Sequence, residues 1–123
     1  MSPRPVAHYS PAVRAGPWLV VSGQVGLKDG VLVEGVVAQS QQALANVAAV
    51  LAEHGARLED VVKTTVFMAD IGDFATVNGV YAEAFGQHRP ARSAIAVAGL
   101  PLGALVEVEA WAYLPLPTPT PPT

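Results

Sequence analysis

Hydrophobic and polar positions along the chain switch between two periods. The run WLVVSGQVGL, Trp18 to Leu27, is short and β-branched and predicts a buried strand. Lys28-Asp29-Gly30 is a hairpin turn signal, with Val31-Leu32-Val33 as the returning strand. From Val36 the apolar spacing becomes three and four: Val36, Val37, Ser40, Ala43, Leu44, Val47, Val50 and Leu51 form one face of a helix. Gly55, after His54, is placed to end it. A second β-branched run, Val61 to Ala69, follows Asp60. Asp73 then stands as N-cap of a second helix whose stripe is Phe74, Val77, Val80, Tyr81, Ala84 and Phe85, closed by Gly86. After Pro90 come two more strands, about Arg92 to Val97 and Leu105 to Leu114, read as a hairpin around GLPLG. With a short first strand near Pro5 to His8, the expected order is β-β-β-α-β-α-β-β.

This order predicts an α+β fold, a mainly antiparallel sheet with two helices packed on one face. The other sheet face needs a cover, and a partner subunit is the economical one. Composition points the same way, since 51% of residues are hydrophobic and only 14% charged. Residues 1–114 are expected to form one domain, and Pro115 to Thr123, PLPTPTPPT, a Pro/Thr-rich flexible tail. Seven scattered Lys and Arg face ten Asp and Glu, so no basic stripe for nucleic acid is expected. The lack of cysteine excludes disulfides, thiolate metal sites and Cys nucleophiles. His8, His54 and His88 fall in three different elements without metal-ligand spacing, and no metal is expected. No run approaches membrane-spanning length and the N-terminus has no apolar signal core, so a soluble, cytoplasmic protein is expected.

The chemistry-bearing residues stand out against this apolar background. Alternation puts Glu107, Glu109, Trp111 and Tyr113 on one strand face, and Arg92, Ala94 and Ala96 on one face of the strand before. An arginine among alanines has room for its guanidinium fork to grip a carboxylate in two places. That carboxylate belongs either to Glu107 or Glu109, in an internal ion pair, or to a ligand, and parity does not choose between them. SGQVG, Ser22 to Gly26, lacks the spacing of either common phosphate loop. It reads as a bulged strand end, or as one that presents the Ser22 hydroxyl and backbone N–H groups to a cleft. Asn78, beside the apolar stripe of the second helix, wants a hydrogen-bond partner.

Taken together, AQSQQALANVAAVLAEHGARLEDVVKTTVFMADIGDFATVNGVYAEAF, then PARSAIAVAGLPLGALVEVEAWA, and the earlier VVSGQVG resemble the reactive-intermediate deaminase family of Rid or YjgF type. The resemblance spans roughly residues 7 to 113. It implies a chorismate-mutase-like α+β domain assembled as a homotrimer with clefts between subunits. It implies hydrolysis of 2-enamine and 2-imine acids, of the 2-aminoacrylate kind, to 2-keto acids and ammonia without cofactor or metal. Carried over residue by residue, the arginine of P-x-R-S is Arg92, which would clamp the substrate carboxylate. The first glutamate of V/I-E-x-E-A is Glu107, which would orient or activate water. Substrate-binding counterparts are Tyr9 in the N-terminal arm, Ser22, Gly23 and Asn78. Ala94 stands where many members have cysteine, and the link Gly86-Gln87-His88-Arg89 is short, which bears on substrate preference. The resemblance also carries alternatives: an endoribonuclease that inhibits translation, or a regulator that binds small carboxylates without catalysis.

Overall fold

The computed structural model describes residues 7–117. Seven strands and two helices follow one another in the order β1 (Ala12–Ala15), β2 (Trp18–Val25), β3 (Leu27–Lys28), β4 (Val31–Leu32), α1 (Val36–Glu53), β5 (Val61–Met68), α2 (Phe74–Phe85), β6 (Ala91–Ala96) and β7 (Val106–Tyr113). Five strands form one sheet in the order β1-β2-β7-β5-β6, antiparallel except for the parallel pair β5–β6. Both helices lie on one face, so the fold is α+β as expected. The core between the layers holds Leu19, Val47, Leu51, Val66, Met68 and Val108.

Each helix follows from its sequence. On α1 the buried positions include Ser40, Ala43, Leu44, Val47, Val50 and Leu51, whereas Val37 is exposed. Gly55 ends it with φ +77, and Ala56 N–H reaches back to the Leu51 carbonyl. On α2, Val77, Tyr81 and Phe85 are buried. Asp73 makes no side-chain cap there. Instead a short 3-10 turn, Ile71–Asp73, precedes the helix, and Asp70 accepts from Gly72 N–H at 2.8 Å. The capping carboxylate thus sits one turn earlier than the spacing predicts. Asp29 and Gly30, with φ of +53 and +81, close the β3–β4 ladder as a two-residue turn.

Two strand expectations are corrected. Ala7 and His8 form a bend, and the first strand is Ala12–Ala15; Pro5 and Val6 lie outside the described residues. The Gly16-Pro17 turn sets Ala15 directly opposite Trp18, which makes the residues just before it the paired ones. The second correction concerns Arg92 to Leu114, which form no hairpin. β6 pairs with β5, in parallel, because α2 returns the chain across the sheet. The following segment then carries the chain past β5, and β7 inserts between β5 and β2. The inward residues of β7, Val106, Val108, Ala110 and Ala112, are buried, and pairing on both edges suits them to the sheet centre. Most of the tail expected over Pro115 to Thr123 lies outside the described residues.

Candidate functional site

The registers settle which side chains share a face. Thr64 stands opposite Arg92 on one side and Ala110 on the other, so Arg92 points to the helix layer. Thr65 stands opposite Glu109 and Phe67 opposite Glu107, so both glutamates occupy the outer face. β5 lies between their strands, which puts β6 about 10 Å from β7. The internal Arg–Glu ion pair is therefore absent: within one chain the sheet separates the arginine from both carboxylates.

Arg92 instead meets α2. Its Nη1 donates to Asn78 Oδ1 at 2.8 Å, and its guanidinium carbon lies 4.8 Å from the Tyr81 ring centre and 5.7 Å from that of Phe74. Phe74, Asn78 and Tyr81 are spaced four and three apart, one stripe of the helix. The Tyr81 hydroxyl shares a 2.7 Å hydrogen bond with Thr64 Oγ1, under the sheet. Burial pushes the Tyr81 phenol up, against smaller opposing effects of the Thr64 bond and the Arg92 charge.

On the outer face, Tyr9, Ser22, Gly23, Glu107, Glu109 and Trp111 line a groove of about 490 Å³. A bulge between Val21 and Gln24 shapes its floor. A β-carbon at Gly23 would fall 2.7 Å from Glu107 Oε2, so glycine here lets the carboxylate lie against the backbone. Ser22 Oγ donates to the Ser10 carbonyl at 2.6 Å, and Ser22 N–H to that of Pro11. Ser22 thereby ties down the arm that carries Tyr9. Burial first, and the negative charge of Glu109 second, raise the Glu107 carboxyl above the ordinary glutamate range. Such a group accepts a proton more readily than a solvated carboxylate.

The six residues singled out in the sequence thus form two clusters, Arg92 with Asn78 and Glu107 with Tyr9, Ser22 and Gly23, on opposite sides of one sheet. The family model described as endoribonuclease L-PSP, that of the YjgF/RidA family, matches residues 1–114. The chain belongs to this family. It is 46% identical to the mouse 2-iminobutanoate/2-iminopropanoate deaminase, over 89% of this chain and 83% of that protein. It is 41% identical to the Salmonella typhimurium protein of the same name, over 89% of each. Among solved structures, RidA of an Antarctic Psychrobacter superposes with a TM-score of 0.89 at 39% identity, covering 92% of this chain and 94% of that one. TdcF of E. coli, solved with bound serine, superposes with a TM-score of 0.87 at 35% identity over 91% and 92%.

In this YjgF/RidA member, two further polar residues support the Glu107 cluster from behind. Asn46 on α1 donates from Nδ2 to the carbonyls of Val25 and Leu27, at 3.0 and 2.9 Å, and accepts from Gln42. Gln39 accepts from Leu105 N–H at 2.9 Å, just before β7. Sequence reasoning passed over both. The signal was there: Gln39 and Asn46 are amides seven apart, bordering the apolar face of α1. His54 and His88 each meet a backbone carbonyl, of Val50 and Val61, and lie apart from both clusters.

Proposed function

We propose that this protein hydrolyses 2-imino and 2-enamino acids to 2-keto acids and ammonia, at sites formed between copies of the chain in a homotrimer. The observation that carries the reading is that Arg92 and Glu107 each border open space on opposite faces of the sheet. One copy's helix-side edge, with Arg92, would meet another copy's outer face, with Glu107. The outer face invites such cover, because Val13, Ile95, Trp111 and Tyr113 are exposed on it. The names of the mouse and Salmonella relatives support the substrate class, and the serine in TdcF supports a site that receives a small amino-acid carboxylate. Residues 1–114 would form the working unit, with the Pro/Thr-rich end an appendage.

Arg92 would hold the substrate carboxylate by two parallel charge-assisted hydrogen bonds. An enamine first takes a proton on carbon to become the iminium, whose C2 is already electrophilic; positioning and a water are then enough. Glu107, ionised, would take one proton from that water as its oxygen bonds to C2, giving a carbinolamine. Returning the proton to nitrogen makes ammonia a leaving group, and loss of the hydroxyl proton completes the keto group as the C–N bond breaks. Tyr9, Ser22 and Gly23 would frame the water side of the cleft, and Asn78 would steady Arg92.

The test is a coupled assay in which an amino-acid oxidase generates the imine and the protein is titrated in. Imine decay is expected to accelerate in proportion to protein. Arg92→Ala is expected to lower kcat/KM roughly 10- to 100-fold with an unchanged melting temperature, as loss of a charged hydrogen-bond pair predicts. Full activity in that variant would overturn the clamp.

A further inference from the structure

Arg92 projects from an edge strand, and its nearest neighbours on that face of β6 are Ala94 and Ala96. Small neighbours leave a long side chain free to swing, yet a clamp must be held in place before its ligand arrives. We propose that Tyr81 is a positioning residue for Arg92: its ring, pinned by Thr64, holds the guanidinium where a substrate carboxylate meets it. This rests on Arg92 being the carboxylate clamp.

Three observations carry it. Tyr81 is the buried aromatic of the pair that flanks Arg92, at 8% exposure against 40% for Phe74, and its ring is the nearer. The ring is held at its hydroxyl and by a neighbouring ring. Its hydroxyl meets Thr64, which is fully buried and is the direct cross-strand partner of Arg92, and its other side packs on Phe85 at 4.6 Å. The height of the ring is thus set from the same rung of the sheet that carries the arginine. The guanidinium carbon, finally, lies over the Tyr81 ring at 4.8 Å, and attraction to a ring face needs none of the N–H groups as hydrogen-bond donors. Asn78 takes a donor on Nη1, and the rest of the fork keeps its capacity for two-point capture of a carboxylate. A glutamate in place of the ring would hold the arginine equally well and consume those donors.

The experiment measures 2-oxobutanoate binding by calorimetry, and imine hydrolysis by steady-state kinetics, on the full chain and on Arg92→Ala, Tyr81→Leu and the two combined. Tyr81→Leu is expected to weaken 2-oxobutanoate binding and raise KM roughly three- to thirtyfold, the range of a lost cation–π contact, with a smaller change in kcat. In the Arg92→Ala background it is expected to cost nothing further in kcat/KM. A residue that only filled the core would lower the melting temperature and the active fraction, leave KM alone, and add its effect to that of Arg92→Ala. If Arg92→Ala binds 2-oxobutanoate like the parent protein, the clamp itself falls. If Arg92→Ala loses binding while Tyr81→Leu keeps it, only the positioning role falls. Should Tyr81→Leu not fold, the pair Thr64→Val with Tyr81→Phe keeps the ring and removes both hydroxyls together. It is expected to raise KM about two- to fivefold through loss of the pinning bond, and an unchanged KM would overturn the role of Thr64.

Discussion

At the scale of the residue, Glu107 carries the cost of being half-buried beside Glu109. Both effects disfavour its charge, and a base must be charged to take a proton from water. The acid limb of kcat/KM is therefore expected above the ordinary glutamate range. Glu109→Gln removes the like charge and leaves the burial, so the limb is expected to move to lower pH; a pH–rate profile that stays in place would show that the two carboxylates do not feel each other. The same shift appears in stability with a definite sign. A carboxyl whose folded pKa is raised contributes stability that is present below its unfolded value and is lost as pH rises through its folded value. Glu107→Gln is accordingly expected to melt higher than the parent at neutral pH, to gain nothing in acid, and to be inactive. Alternation alone was enough to put Glu107 and Glu109 on one face. The glycines of SGQVG suggested the bulge, but the nearness of Gly23 to Glu107 was not legible, because it depends on β2 pairing with β7, which no local pattern announces.

At the scale of the element, α1 does more than cover the sheet. Its amides reach the backbone where strand pairing is interrupted, Asn46 at the Val25 and Leu27 carbonyls and Gln39 at Leu105. Asn46→Ala would leave two carbonyls without their donor, and a loss of about 2–3 kcal/mol is expected in denaturant unfolding. Activity is expected to fall further than stability explains, since Val25 pairs with Glu107 and the bulge carries Gly23. The helices were legible from their spacing to within a residue or two. The supposed hairpin of Arg92 to Leu114 was not, and the reason is physical. Two apolar strands around a Gly/Pro turn look alike whether they pair with each other or with a third strand. What separates β6 from β7 is that β5 takes the one paired edge of β6, in parallel, after α2 returns the chain across the sheet. Only that insertion reveals that Arg92 and Glu107 face opposite ways.

At the scale of the whole molecule, the proposed site, divided between faces, would be shared between chains, and sharing can be measured by mixing. Arg92→Ala alone is expected to keep no more than about a tenth of the parent kcat/KM, and Glu107→Gln alone to be inactive. Refolded together in equal amounts, random assortment in a closed ring pairs an intact Arg92 with an intact neighbouring Glu107 at about one site in four. About a quarter of the parent activity is the expected outcome, at a mass by light scattering three times that of the chain. A mixture no more active than its components would place both residues in one subunit's site, against the proposal.

The insertion of β7 also has a consequence in time. The last strand among the described residues, β7, is the middle strand of the sheet, holding β1-β2 on one side and β5-β6 on the other. A ribosome delivers residues in order, so β1-β2 and β5-β6 are made before the strand that joins them, and their inner edges wait unpaired. They can join only when residues 106–113 emerge. A chain that stopped before β7 would leave two open edges ready to pair with whatever strand comes next.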